Sequence, residues 1–314
     1  MAELSLADIF QPLSQRRRQA IDEMRTRFAY YTSATTALNI LRGRELWMRS
    51  AACMNDYREI DYGIQLLNHA IYGNEQRRQR IQQLTKRLNW GESVWEHLLG
   101  NLNRSENALV TRTYLACVSE HSPDEEQRGR LSMWRAYGRK TGVAFVLKAK
   151  AILHSRHPLP IRMSPVTYLD QTGFDQAVDR ILNNVDRNVI FLQQLGSTKA
   201  LNYFMDPVLC GLVAIKHPGF IEEREWRIIY QESAGQLPYD SVSVDGIPQV
   251  VYKLPVCGAA DRNPGLQLVD ALDHIIIGPS QYADVIFLAF VKVLEEMGIP
   301  HADQKVYKSN IPLR

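Results

Sequence analysis

Apolar positions recur along this chain with two periods, and the switches between them outline its elements. Helical spacing comes first: Ile9, Leu13, Ala20, Ile21, Met24 and Phe28 fall on one side of a polar stretch, which predicts an amphipathic helix over residues 5–28. The β-prone run Ala29–Ser33 follows, then a helix from the caps Thr35 and Thr36 through Leu41, stopped by Gly43. Glu45–Arg49 reads as a second short strand. The turn-like Asn55-Asp56, with Asp56 as cap and Glu59 completing a capping box, leads into helices over about residues 60–105. Tyr114–Ser119 is a strand, 119–124 a loop, 126–139 a helix and Gly142–Leu147 an apolar strand. A strand at Ser164–Leu169 and a long helix over Phe174–Met205 come next. The remainder supplies strands at Trp226–Tyr230, Val250–Val256 and Ile275–Gly278, a helix near 281–297 and a last strand near Lys305–Tyr307. No internal repeat, low-complexity tract or linker interrupts the series. The pattern predicts an α+β fold, one domain over residues 1–314, in which a mixed β-sheet core carries flanking helices and a helical insertion at about 60–110.

The densest chemistry lies at Glu222-Glu223-Arg224-Glu225-Trp226-Arg227, where acids stand at the mouth of a buried strand. Strand alternation puts Glu225 and Arg227 on one face and Trp226 and Ile228 on the other. A carboxylate and a guanidinium two residues apart on a rigid strand can position a polar ligand. An edge strand carrying a solvated ion pair is the alternative reading of the same residues.

Composition narrows the class. With 45% hydrophobic and 23% charged residues the chain is an ordinary globular protein. Its longest apolar runs, such as Val285–Leu294, are too short to span a bilayer, so no membrane partner is expected. Met1–Phe10 lacks the pattern of a signal peptide. The four cysteines (Cys53, Cys117, Cys210, Cys257) are scattered without a CxxC pair, which argues against a disulfide framework or a zinc knuckle and for reduced thiols in the cytoplasm. Charge is uneven: residues 1–150 carry 23 Lys and Arg against 16 Asp and Glu, and residues 151–314 carry 14 against 18. Clusters at Arg16–Arg18, Arg42/Arg44/Arg49 and Arg77–Arg87 can hold phosphates, or can be the charged outer faces of helices. GxGxxG, GxxxxGK, HExxH and GxSxG are all absent, and His154 and His157 stand too isolated for a metal site.

Five blocks in order resemble a widespread bacterial family long labelled a domain of unknown function. They are Tyr30-Tyr31-Thr32-Ser33 with Ala37–Leu41; Leu46-Trp47-Met48-Arg49-Ser50 with Met54–Glu59; and Cys117-Val118-Ser119-Glu120 with Met133-Trp134-Arg135-Ala136-Tyr137 and Gly142–Phe145. Lys216, Phe220 and Glu223–Arg227 form the fourth, and Ile276–Pro279 with Ser309–Arg314 close the pattern. The first block also resembles that of ADP-ribosyltransferases, in particular the DarT-like toxins that modify nucleic acid. That superfamily ends its pattern with E-x-E or Q-x-E at a strand start, the second acid being catalytic. Carried over, the resemblance implies Glu225 as catalytic acid and Glu223 as its upstream partner. It places Tyr30 where the family has a first-strand His and Thr32 at the adjacent Thr. Tyr57 stands where the family has Pro.

The resemblance implies NAD as substrate, no metal, and a nucleic-acid or protein acceptor, nucleic acid being favoured. It implies a toxin or anti-phage defence role, with an antitoxin protein as possible partner. Breaking the nicotinamide–ribose bond develops positive charge on the sugar, and a fixed carboxylate stabilises that state more than the ground state. Arg227 would hold Glu225 ionised or bind phosphate. Trp134 and Tyr137, three apart on the predicted helix, share a face and form an aromatic wall or pack into the core. Ser119 meets a ribose or caps a turn; Arg49 meets the pyrophosphate or lies exposed. Tyr30 and Tyr31 point to opposite sides of their strand, so at most one lines the pocket. Two other classes remain open: a metal-dependent nuclease using Glu223, Glu225 and Asp206, and a non-catalytic nucleotide- or RNA-binding module.

Overall fold

The computed structural model describes residues 5–24, 26–53, 58–90, 111–138, 140–153, 159–195, 211–232, 235–244, 246–257 and 266–312. The Asn55-Asp56 turn, the Glu59 side chain, Asp206, Cys210, the Cys257 side chain, His154, His157 and the closing Leu313-Arg314 lie outside the described residues. So do the later parts of the 60–105 helical region and of the 174–205 helix.

The chain divides into two compact units, one of residues 1–19, 51–113 and 164–221 and one of residues 20–50, 114–163 and 222–314. Among the described residues thirteen strands form: β1 (Arg27–Ser33), β2 (Glu45–Ser50), β3 (Thr113–His121), β4 (Gly142–Lys148), β5 (Ile161–Pro165), β6 (Thr167–Tyr168), β7 (Ile215–Lys216), β8 (Glu225–Gln231), β9 (Tyr239–Val244), β10 (Ile247–Cys257), β11 (Leu266–Gln267), β12 (Leu272–Ile277) and β13 (Val306–Lys308). Eleven join one mixed sheet in the path β11-β10-β2-β3-β1-β4-β12-β13, with β9 on β10 and β8 on β3 and β5. The fold is thus mixed α/β around a large sheet.

β4 and β12 read Gly-Val-Ala-Phe-Val-Leu and His-Ile-Ile-Ile because both of their faces are covered. On one face Phe28, Phe145, Trp226, Tyr230 and Ile275 pack with Ala37 and Leu41 of helix Ala34–Gly43 and with Phe290 and Leu294 of helix Ala283–Glu296. Burial of each large side chain there contributes about 1.5–3 kcal/mol. On the other face Ala29, Tyr31, Ala144, Val146 and Ile276 enclose Met133 and Trp134. The helical unit is built around Arg58–Tyr72, Glu75–Arg87 and Gln171–Arg187, the last two capped by Asn74 and Asp170, with β6 and β7 as a parallel pair.

Several elements differ from the sequence pattern. The helix expected over 5–28 is two, Leu6–Phe10 and Pro12–Met24. Pro12 opens the second, where its missing N–H costs nothing, and Arg27 and Phe28 are drawn into pairing with Lys148 and Leu147. The loop expected at 119–124 is strand as far as His121, since β1 pairs Phe28 with Glu120 and Arg27 with His121. The strand expected at Ser164–Leu169 is split into β5 and β6. The long helix breaks at Asn188, separating Gln171–Arg187 from Val189–Gln194.

The helix expected over 126–139 is one turn, Leu131–Met133, running into a π-helical turn, Trp134–Gly138. The cause is the Trp134 indole, which fills a socket walled by glycine backbone. A Cβ at Gly278 would lie 2.8 Å from its ring, one at Gly142 3.0 Å, and one at Gly129, held at φ +66, 2.6 Å. The indole N–H donates to the Arg128 carbonyl at 2.8 Å, and the ring meets Tyr31 edge-on at 4.8 Å. Gly278→Ala is expected to lower stability by about 1–3 kcal/mol through overpacking. A urea unfolding midpoint equal to the parent's would refute the socket.

Candidate functional site

β1 stays paired with β4 from Arg27 to Ser33, yet among the described residues it pairs with β3 only over Arg27–Ala29. Beyond Ala29 the two strands part, while β3 meets β2 at Leu115 and Tyr114. Tyr30 and Thr32 therefore stand on β1 where the sheet opens, with Cys117 on β3. Burial pushes the Tyr30 hydroxyl up to about 12, Cys117 adds to the rise, and the Thr32 hydroxyl bonded to it and the Arg49 guanidinium oppose it. Burial likewise drives the Cys117 thiol well above its usual range, and Glu225, which is hydrogen-bonded to it, adds to the rise. Arg227 opposes that rise, and Glu223 also bears on the thiol. Tyr30, Thr32, Arg49, Cys117, Glu223, Glu225 and Arg227 thus belong to one electrostatic neighbourhood.

Glu225 is the first residue of β8 and is enclosed, 6% exposed. Its Oε1 accepts from Arg227 Nε at 2.8 Å, and Arg227 is buried too. The pair is therefore an internal one, unlike the solvated pair of an edge strand. Trp226, Ile228 and Tyr230 enter the main core on the opposite side. Glu223 does not continue that strand face. It ends a 3₁₀ turn, Pro218–Glu223, and Arg224 adopts φ +45, so the two-residue alternation is broken between the acids.

What holds this approach in place is Arg130, buried and bonded through all three guanidinium nitrogens. Nε and Nη2 donate to the Glu125 carboxylate at 2.6 and 3.0 Å. Nη1 donates to Ser119 Oγ at 2.7 Å and to the carbonyls of Glu222 and Glu223 at 2.8 and 3.0 Å, and Nη2 also reaches the Glu120 carbonyl at 2.7 Å. Ser119 Oγ itself donates to the Glu223 carbonyl. The Arg130 backbone N–H donates to the Tyr31 hydroxyl at 2.9 Å. A planar fork of five N–H donors suits this task; an ammonium does not.

The expected site residues consequently fall into two groups. Tyr30, Thr32, Arg49, Glu223, Glu225 and Arg227 lie around the opening, with Arg49 Nε also donating to Gln249 at 3.1 Å. Ser119 and Tyr31 are bonded to Arg130, and Trp134 sits in its glycine socket. Tyr137 is half-buried against the same cluster as Tyr31 and Trp134. Reasoning from sequence singled out neither Arg130 nor Cys117 as site residues. Alternation along β3 places Cys117 with Ser119 and could have flagged it; Arg130, in irregular chain, left no periodic signal.

Other charged features resolve differently. In the helical unit Arg77 forks onto Asp179 at 2.8 and 3.0 Å, Arg80 bonds Asn183, Arg78 bonds Glu75 and Arg87 bonds Asp186. Four cations of the Arg77–Arg87 cluster are thus engaged within the protein. The same unit holds a cavity of about 200 Å³ between apolar side chains such as Phe10, Leu84, Phe174 and Leu212, with no titratable group among its described lining residues. On the sheet, Glu126, Asp273 and His274 bring one ligand atom each to within 4.8 Å of one another. No described helix is long and apolar enough to cross a membrane.

Residues 133–228 match a family described as a protein of unknown function (DUF2971). No curated protein and no solved structure matches the chain. The matched segment begins beside Trp134 and ends in β8, so it contains the Glu223–Arg227 run.

Arg130→Met should lower unfolding stability by about 3–5 kcal/mol, because it leaves the Glu125 carboxylate buried without its cation. Urea denaturation followed by circular dichroism measures this, and a loss under 1 kcal/mol would show that the network is dispensable.

Proposed function

We propose that this protein is an NAD-dependent ADP-ribosyltransferase whose catalytic acid is Glu225. One observation supports the reading above the others. Glu225 is enclosed and braced by Arg227 at the start of a strand, and it is hydrogen-bonded to Cys117, whose charge bears on Tyr30 beside the opening between β1 and β3. A carboxylate held this way needs little reorganisation when positive charge develops on a neighbouring sugar.

In this reading Glu225 accepts a hydrogen bond from a hydroxyl of the nicotinamide ribose and faces the oxocarbenium-like carbon as nicotinamide departs. Arg227 keeps the carboxylate ionised and aimed. Glu223, on the turn before the strand, orients or deprotonates the acceptor hydroxyl or amine. Tyr30 and Thr32 contact the ribose from β1, and Arg49 neutralises the pyrophosphate. The acceptor is nucleic acid rather than protein: Arg42 and Arg44 are exposed beside β2, close in sequence to Arg49, and can track a phosphate backbone. An enzyme of this kind would act as a toxin or defence effector restrained by an antitoxin protein.

Incubation with labelled NAD and separate RNA, DNA and protein pools is expected to release nicotinamide and label a nucleic-acid pool. Glu225→Gln should reduce the rate by about 10²–10³-fold in protein that circular dichroism shows to be folded. Full activity in a folded Glu225→Gln protein would overturn the assignment.

A further inference from the structure

We propose that Glu126, Asp273, His274 and His121 form a binding site for one transition-metal cation of the zinc class, an ion that clamps the sheet rather than taking part in the reaction above. The site arises from a break in strand regularity. β12 pairs Leu272 with Leu147 and His274 with Val146, so Asp273 is an extra residue, a β-bulge. In a regular strand Asp273 and His274 would point to opposite faces. The bulge brings them together instead, with Asp273 Oδ2 3.2 Å from His274 Nδ1.

The hydrogen bonding of His274 fixes which nitrogen is available. Nε2 lies 2.9 Å from the Glu126 carbonyl, which can only accept, so the proton of the neutral ring sits on Nε2. Nδ1 then presents a lone pair to Asp273 Oδ2, and to Glu126 Oε1 at 3.9 Å. Lone pairs facing one another across such a gap are relieved by a cation shared between them, whether a proton or a metal ion. A metal-bound imidazole whose second nitrogen donates to a backbone carbonyl is the common arrangement at metal centres.

A second, independent observation is His121. Its side chain is fully buried, and neither ring nitrogen has a hydrogen-bond partner among the described residues. Its Nε2 faces Glu126 Oε2 at 4.0 Å, and its ring lies 5.8 Å from that of His274. A buried imidazole left with both nitrogens idle is rare and asks for a ligand.

Charge balance fits a divalent ion. Arg27 bonds both Glu126 oxygens and, at 2.6 Å, Asp273 Oδ2, so the cluster of one guanidinium and two carboxylates carries a net charge of −1. Carboxylate oxygens have a second lone pair each, which Arg27 leaves for the metal. Two imidazoles with two carboxylates favour a borderline ion such as Zn²⁺ or Co²⁺ over Mg²⁺ or Ca²⁺. Tetrahedral bonds of about 2.0 Å need ligand atoms roughly 3.3 Å apart. Glu126, Asp273 and His274 already bring one atom each to within 4.8 Å of one another, and closing the site requires the half-exposed Glu126 and the His121 ring, which lies outside that group, both to move inward. The ion would tie β3, β12 and the turn after β3 together. That turn also carries Glu125, the anchor of Arg130.

Chelator-treated full-length protein titrated with Co²⁺ is expected to bind one equivalent and to develop the strong visible d–d absorption of four-coordinate Co²⁺. One equivalent of Zn²⁺ should displace it and raise the thermal unfolding midpoint. Asp273→Asn and His274→Gln should weaken Co²⁺ binding by roughly 10–100-fold or more. Glu126→Gln, at a half-exposed position, provides the same comparison if His274→Gln, at a buried one, or Asp273→Asn fails to fold. Absence of one-equivalent uptake, or equal uptake by the parent and the folded variants, would overturn the proposal.

Discussion

The buried fork of Arg130 is the interaction on which the arrangement of the candidate site depends. Glu222 and Glu223 offer backbone carbonyls just before β8, beyond the left-handed Arg224 whose carbonyl takes the last bond from β3, the Glu120 N–H at 2.9 Å. Carbonyls enclosed without donors would be costly. One guanidinium satisfies both of them, the Glu120 carbonyl and the Ser119 hydroxyl, and is itself neutralised by Glu125. The position of Glu225 follows from that anchoring together with the pairing of β8 on β3 and β5.

The second constraint is the parting of β1 from β3. A sheet whose strands stay paired offers a ligand only its faces. Where two neighbouring strands diverge, side chains from both flank one gap, and here Tyr30 and Thr32 stand on one strand and Cys117 on the other. Behind β1 the Trp134 indole, locked between glycine backbones and bonded to the Arg128 carbonyl, fixes Tyr31 by an edge-on contact. Tyr31 in turn accepts from the Arg130 backbone. The aromatic and the guanidinium networks are therefore one framework, and the residues around the opening are mounted on it.

Irregular backbone recurs where charged side chains gather. Left-handed Arg224 precedes Glu225, the π-turn follows Arg130, and the bulge at Asp273 turns a carboxylate toward a histidine. Each departs from helix or strand periodicity, and each re-aims a side chain that a regular element would have sent elsewhere. The Arg77–Arg87 helix shows the opposite case: on regular helices in one unit, cations and acids meet in register and neutralise one another.

The strands with apolar alternation or continuous apolar runs, β2, β3, β4, β8 and β12, were legible from sequence because burial on one or both faces writes a period into the residues themselves. Sequence also placed Tyr30 and Tyr31 on opposite sides of β1, and Glu225 and Arg227 together. It did not give the enclosure of that pair, the break between Glu223 and Glu225, or the π-turn at Trp134. Nor did it give Arg130 as the anchor or the meeting of His121, Glu126, Asp273 and His274. Those depend on contacts between residues about 90 to 150 positions apart, and on backbone turns set by what packs against them. Local periodicity records which side of an element is dry; it carries no information about which distant partner waits there.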